Sequence, residues 1–258
     1  MNNEGRMSFL THIEELRTRI LYSGIAIALI FMPAYLFSAR IFDFLMLPIR
    51  NNLPPDSYII FTNPAEGFVT YLKVSLFASF VASFPFIMYQ FWNFISPALY
   101  KNEKKIVIPF IIFGTLFFII GAAFCYYVAA PSGLKFLLGE YSSSYVKAFP
   151  SMRETLSFLM SLMIGFGVVF EFPLIIFVLA RLGLVGGKWL RDKRKYAMLL
   201  SSVVAAAITP TTDALSMMFM LVPLFVFYEI GIIVAAVFGR EKRDKKAKNE
   251  TEDTDFRI

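Results

Sequence analysis

Three things are scarce in this sequence: there is one cysteine (Cys125), one histidine (His12), and only 17% of the 258 residues are charged. A lone cysteine excludes an internal disulfide, and a lone histidine excludes a metal centre built from several imidazoles. An intramembrane enzyme would need a nucleophile–base pair or metal ligands inside its apolar runs; His12 lies outside them and Cys125 has no basic partner. The scarcity of charge also sets the chain apart from a soluble domain, where about 25% of residues are charged and about 45–50% apolar.

What is abundant is apolar surface in long runs. Hydrophobic residues make up 57% of the chain and aromatic ones 17%. The runs predict an all-α, polytopic integral membrane protein with six transmembrane helices, at roughly 20–37, 71–95, 106–130, 155–180, 196–209 and 214–238. Crossing about 30 Å of hydrocarbon takes about 20 residues. The first run is near that limit and the fifth covers only about 21 Å. Residues 1–238 read as a single six-helix membrane domain, and the basic-then-acidic stretch 239–258, with no apolar period, as a disordered tail. The polar start of the chain shows no cleavage site, so no cleavable signal peptide is expected.

Charge location orients the chain. Of 25 lysines and arginines, nineteen fall in the segments 1–19, 92–105, 181–195 and 239–258, which share one side, and five fall on the other. By the positive-inside rule both termini are cytoplasmic, and the net charge of +6 is a matter of topology rather than a sign of nucleic acid. Pro33, Pro85, Pro109, Pro173 and Pro223 fall inside five of the runs, which predicts kinked helices in a concave arrangement. "RIFDFLMLPIRNNLPP" predicts a short amphipathic helix lying at the membrane interface. "TPTTD" leaves room for a tight turn only, so the last two spans form an antiparallel hairpin.

Acids in this setting carry the functional information. In "LTHIEELRTRI", Thr11 and Glu14 fit a capping box at a helix start. Glu15 shares a helical face with His12 and Arg19; by local physics alone it forms an i,i+4 pair with Arg19, worth about 0.2–0.5 kcal/mol. In "WNFISPALYKNEKK", Ser96 and Pro97 suit a helix start, and Glu103 is the single acid among Lys101, Lys104 and Lys105. Two such carboxylates on one surface suit two guanidiniums in forked, charge-assisted pairs. Glu171 and Glu229 lie inside the fourth and sixth runs at matching depth. A carboxylate there costs about 2.5–3.5 kcal/mol if charged and lipid-facing, so each is either a functional group or a protonated, packing-specific one. Gln90 adds a polar group low in the second run.

Several stretches, in order, resemble the TatC family, the receptor subunit of the twin-arginine protein translocase. "HIEELRTR" fits its His-x-x-Glu-Leu-Arg-x-Arg signature, followed by "YQFWNFISPALYKNEKK", "FGVVFEFP", "KRKYAML", "ITP…D…S" and "YEIG". The resemblance implies a protein without catalytic residues, cofactor or metal, in the cytoplasmic (inner) membrane of a prokaryote. It would recognise twin-arginine signal peptides of folded cargo and assemble with TatB- and TatA-type single-span proteins and with copies of itself, driven by the proton-motive force. The family's docking acids match Glu15 and Glu103, flanked by Leu16, Arg17, Arg19 and Phe94. Its buried acid matches Glu171, in a polar groove with Glu229 and Gln90. Pro48 and Tyr126 match further sensitive positions. The last two spans correspond to the partner-docking edge, with Thr209, Pro210, Asp213, Ser216 and Met217. There the sequence departs from the family: the turn often reads Thr-Pro-Pro-Asp with glutamine after the serine, whereas "TPTTDALSMM" has one more residue and Met217 in that place. A competing class is an ion-coupled secondary transporter with Glu171 and Glu229 as proton carriers, although no inverted repeat is visible.

Overall fold

Charged residues ahead of the first apolar run do not delay helix formation. In the computed structural model, α1 runs Glu4–Leu36, 33 residues or about 50 Å. Thr11 and Glu14 are therefore interior to a helix rather than at the helix start expected there. The structure describes residues 4–95, 107–139, 149–208 and 214–238. Ser96, Pro97, Glu103 and its flanking lysines, the 209–213 turn and the 239–258 tail lie outside the described residues.

The remaining helices are α2 (Ser38–Asn51), α3 (Glu66–Ile95), α4 (Val107–Phe124), α5 (Ala130–Leu134), α6 (Met152–Phe170), α7 (Phe172–Arg181), α8 (Gly187–Asp192), α9 (Arg194–Ile208) and α10 (Ala214–Phe238). Most of these helices run beyond the predicted apolar runs, because hydropathy registers only the apolar part of a helix. Among the described residues, five stretches are long and apolar enough to cross a membrane: His12–Leu36, Glu66–Ile95, Val107–Leu137, Met152–Arg181 and Met217–Phe238. The fifth span of the sequence reading corresponds to α9, whose 15 residues reach about 22 Å.

Proline shapes two of these stretches. Pro131 lacks an N–H and crowds the carbonyl four residues back. The chain answers with a π-helical turn, Cys125–Ala129, in which the Ala130 N–H donates to the Cys125 carbonyl; a second π-helical turn, Lys135–Gly139, follows α5. Pro173 interrupts the fourth long stretch at Glu171, whose N–H donates to the Val168 carbonyl at 3.1 Å in a tightened turn before α7 begins.

The chain divides into two compact units, Met1–Ile164 and Gly165–Ile258. In the first, α3 packs against α1, α2 and α4. Phe84 stacks on Phe118 at 3.8 Å between centroids, and Trp92 lies 4.8 Å from Phe110. The amphipathic helix expected at the interface is α2, but it packs on α3 and α5 and buries Leu45, Met46, Pro48 and Ile49. Tyr126, in the π-helical turn, stacks on Phe44 and donates its hydroxyl to the Phe44 carbonyl at 2.6 Å.

The start of α3 gathers several hydrogen bonds on one side chain. In "NPAE", the Asn63 Oδ1 accepts from the Ala65 N–H at 2.9 Å and the Glu66 Oε2 accepts from the Asn63 N–H at 3.3 Å, a reciprocal capping box. The Glu66 Oε2 also accepts from the Thr62 N–H and hydroxyl, at 2.6 and 2.8 Å. Its Oε1 accepts from the Ser151 hydroxyl at 2.6 Å and the Arg153 N–H at 2.7 Å. One carboxylate thus sits where two helix N-termini converge, which suits its negative charge. A β-bridge between Ile60 and Ser151 ties the same two segments.

In the second unit, α10 packs against α7, α8 and α9 around Ile176, Ala180, Leu190, Tyr228 and Ile232. The Tyr228 hydroxyl donates to the Leu190 carbonyl at 2.6 Å. A Cβ on Gly231 would overlap the Ile176 Cδ1, so a larger residue there would force the Ile176 side chain to move. Gly183, at φ 74°, ends α7 in a left-handed cap, with the Leu184 N–H donating to the Leu179 carbonyl at 3.0 Å.

Candidate functional site

Helical periodicity places His12, Glu15 and Arg19 on one side of α1, and packing turns that side toward the last turns of α3. Arg19 bridges the two helices. Its Nη2 donates to the Glu15 Oε1 at 3.2 Å and its Nη1 to the Gln90 Oε1 at 3.3 Å. Gln90 is buried, so its amide oxygen is a fixed acceptor. The His12 ring stacks on Phe94 at 4.3 Å between centroids.

The local pairing expected for Glu15 and Arg19 therefore forms, but it does not exhaust the carboxylate. Glu15 keeps 29% side-chain exposure, and its Oε2 lies 4.0 Å from the His12 Nδ1, beyond hydrogen-bond distance. An ionised carboxylate offers about four lone-pair sites, so room for a further donor remains on the open side. A pair this exposed contributes about 0–1 kcal/mol to stability. Leu16 and Arg17 are exposed on α1; Arg17 adds positive charge near the carboxylate, so a cationic ligand gains only by direct contact with the acid.

The residues grouped as an intramembrane groove have unlike surroundings. Gln90 belongs with Arg19. Glu171 is 6% exposed, at the break between α6 and α7. Glu229 is half-exposed and accepts from the Arg194 Nη2 at 2.5 Å. The two acids do stand at one level: Phe170 lies 4.5 Å from Phe227, and Phe172 6.4 Å from Tyr228. Spacing along the chain gives that level and says nothing of the differing exposure.

Sequence reasoning missed Glu66 and the Arg194 partner of Glu229. The first had a signal, the Asn-Pro-x-Glu capping pattern. The second had none, since it joins residues 35 apart through the register of α9 on α10. The "KRKYAML" and "YEIG" stretches meet here: Arg194 holds Glu229, and Tyr228 and Gly231 fix α10 to its neighbours. Of the residues expected to dock partners, Thr209, Pro210 and Asp213 lie outside the described residues; Ser216 lies in α10 and Met217 is half-buried there.

Comparison with known proteins matches residues 11–223 to the family model described as Sec-independent protein translocase protein (TatC). A TatC of Desulforapulum autotrophicum is 41% identical over 98% of this chain and 94% of its own. That of Escherichia coli K12 is 34% identical, with 95% of each chain covered. A crystal structure of the twin arginine translocase receptor TatC superposes with a TM-score of 0.77 at 35% identity, covering 87% of this chain and 97% of that one.

Proposed function

The chain belongs to the TatC family of Sec-independent protein translocase proteins, and on that premise we propose that it is the receptor that binds twin-arginine signal peptides of folded cargo. The observation that carries the reading is the partly engaged Glu15. Its carboxylate is held in place by Arg19, which is itself anchored on the buried Gln90, and among the described residues its Oε2 accepts no hydrogen bond, which leaves it to an incoming guanidinium.

In this reading, Glu15 and Glu103 each take one arginine of the pair. A guanidinium presents a planar fork that matches a carboxylate in a bidentate contact; a lysine ammonium is a point charge. Phe94, stacked on His12, walls one side of the Glu15 site. Both termini face the cytoplasm, and the chain acts as a binding and assembly protein rather than an enzyme. It gathers TatB- and TatA-type single-span partners and further copies of itself along α9 and α10, and the proton-motive force drives transport. The carrier alternative loses one of its two carboxylates to the Arg194 ion pair.

Binding of a twin-arginine signal peptide to the purified protein in nanodiscs tests the reading, with Glu15→Gln and Glu103→Gln beside the unaltered chain. Each substitution should weaken binding while the helical content is kept, and a twin-lysine peptide should bind far more weakly than a twin-arginine one. Unchanged affinity in both variants would return Glu15 to the role of a helix-surface partner of Arg19.

A further inference from the structure

Within the second unit, α9 leaves one face uncovered toward the end of α6 and the start of α7. A cleft of ≈ 600 Å³ lies there, with Val168, Phe172 and Ile175 on one wall and Ala197, Leu200 and Val204 on another. Lys193, Ala197, Leu200 and Val204 recur every three or four residues, so the cleft follows α9 for about 16 Å. Tyr228 also lines it, but its hydroxyl is already committed to the Leu190 carbonyl.

One end of the cleft differs from the rest. Among the described residues, Lys193 is the cation that lines it, and its Nζ sits 5.3 Å above the Tyr196 ring. Trp189 and Tyr196 line the same end and are exposed, at 54% and 68%. Such aromatic rings favour the headgroup level of a bilayer. Lys188, Arg191 and Lys195 are exposed nearby, with Asp192 as the sole acid of this stretch. Arg194 is occupied by Glu229.

We propose that this cleft holds an acyl chain of an anionic phospholipid, with the phosphate on the Lys193 ammonium. An apolar cavity stays dry, and at membrane depth the material available to fill it is hydrocarbon. A partner's transmembrane helix laid along α9 is the competing occupant of this face, and it would carry no preference for an anionic headgroup that depends on Lys193. The cleft falls in the range of small-ligand sites, about 300–1,000 Å³. Charge complementarity selects the headgroup, since a lysine near an anionic surface contributes about 1 kcal/mol, or about fivefold in binding. The inference requires only that the chain spans a membrane and does not depend on peptide recognition.

Trp189 is the reporter for the test. The protein is placed in phosphatidylcholine nanodiscs containing a fixed fraction of either phosphatidylglycerol or phosphatidylcholine brominated near the carbonyl end of its chains. The emission lost in Trp189→Phe isolates the Trp189 signal. Brominated phosphatidylglycerol should quench that signal with about fivefold preference; Lys193→Gln should abolish the preference and Lys193→Arg should retain it. Equal quenching by the two lipids, or a preference that survives Lys193→Gln, overturns the proposal. Quenching no greater than random mixing, together with self-association, assigns the cleft to a second copy of the chain and overturns it equally. Peptide affinity does not enter this measurement, so a failed receptor reading would leave its outcome intact.

Discussion

The two ends of α3 set side by side two carboxylates in opposite conditions. At its first residue, Glu66 is 2% exposed and accepts five hydrogen bonds from Thr62, Asn63, Ser151 and Arg153. Near its last turns, Glu15 of α1 accepts from Arg19 and keeps 29% exposure. Both are acids among helix ends, but their remaining acceptor capacity separates them. A carboxylate whose lone pairs are filled by the protein fastens the fold; one that is steadied and only partly filled is available to a ligand. Glu229, half-exposed and held by Arg194, stands between them.

The sharpest way to break this contrast is Glu66→Ala, which strips the acceptor from buried donors on two segments. It should lower the Tm, followed by intrinsic fluorescence in detergent, by on the order of 10 °C; an unchanged Tm would show that water replaces the carboxylate at no cost. Next is Glu15→Gln, expected to weaken twin-arginine peptide binding roughly tenfold to a hundredfold with the Tm unmoved. A Tm loss equal to that of Glu66→Ala would collapse the distinction. Gln90→Leu removes the anchor of Arg19 and not the acid itself. It should cost roughly threefold in peptide affinity while preserving the preference for arginine over lysine, and loss of that preference would make Gln90 a direct contact. Smallest of all, Glu229→Gln at a half-exposed pair should change stability by less than about 1 kcal/mol. A larger change in chemical denaturation would place Glu229 with Glu66 instead.

How much of this could be read beforehand depends on which forces are local. Helix class followed from composition, and the limits of α10 matched the predicted 214–238 run because apolar residues fill that helix from end to end. The start of α1 was misjudged since a Thr-x-x-Glu pattern does not stop a helix that continues upstream through "EGRMSFL". The same capping logic operates where it was not sought, at Asn63–Glu66 and at Ser151, whose hydroxyl oxygen accepts from the Glu154 N–H at 3.4 Å. The shared face of His12, Glu15 and Arg19 was legible from periodicity. The bond from Arg19 to Gln90, 71 residues away, was not, because it depends on how deeply α1 and α3 overlap.

The two oxygens of Glu66 divide their work by distance along the chain. Oε2 is satisfied by residues three and four positions away, and Oε1 by residues 85 and 87 positions away. A polypeptide made from its N-terminus therefore carries every donor to Oε2 as soon as α3 begins, and lacks both donors to Oε1 until the start of α6 has been synthesised. One carboxylate in this way joins a local cap, which needs only neighbours in sequence, to a closure that needs α4 and α5 in between.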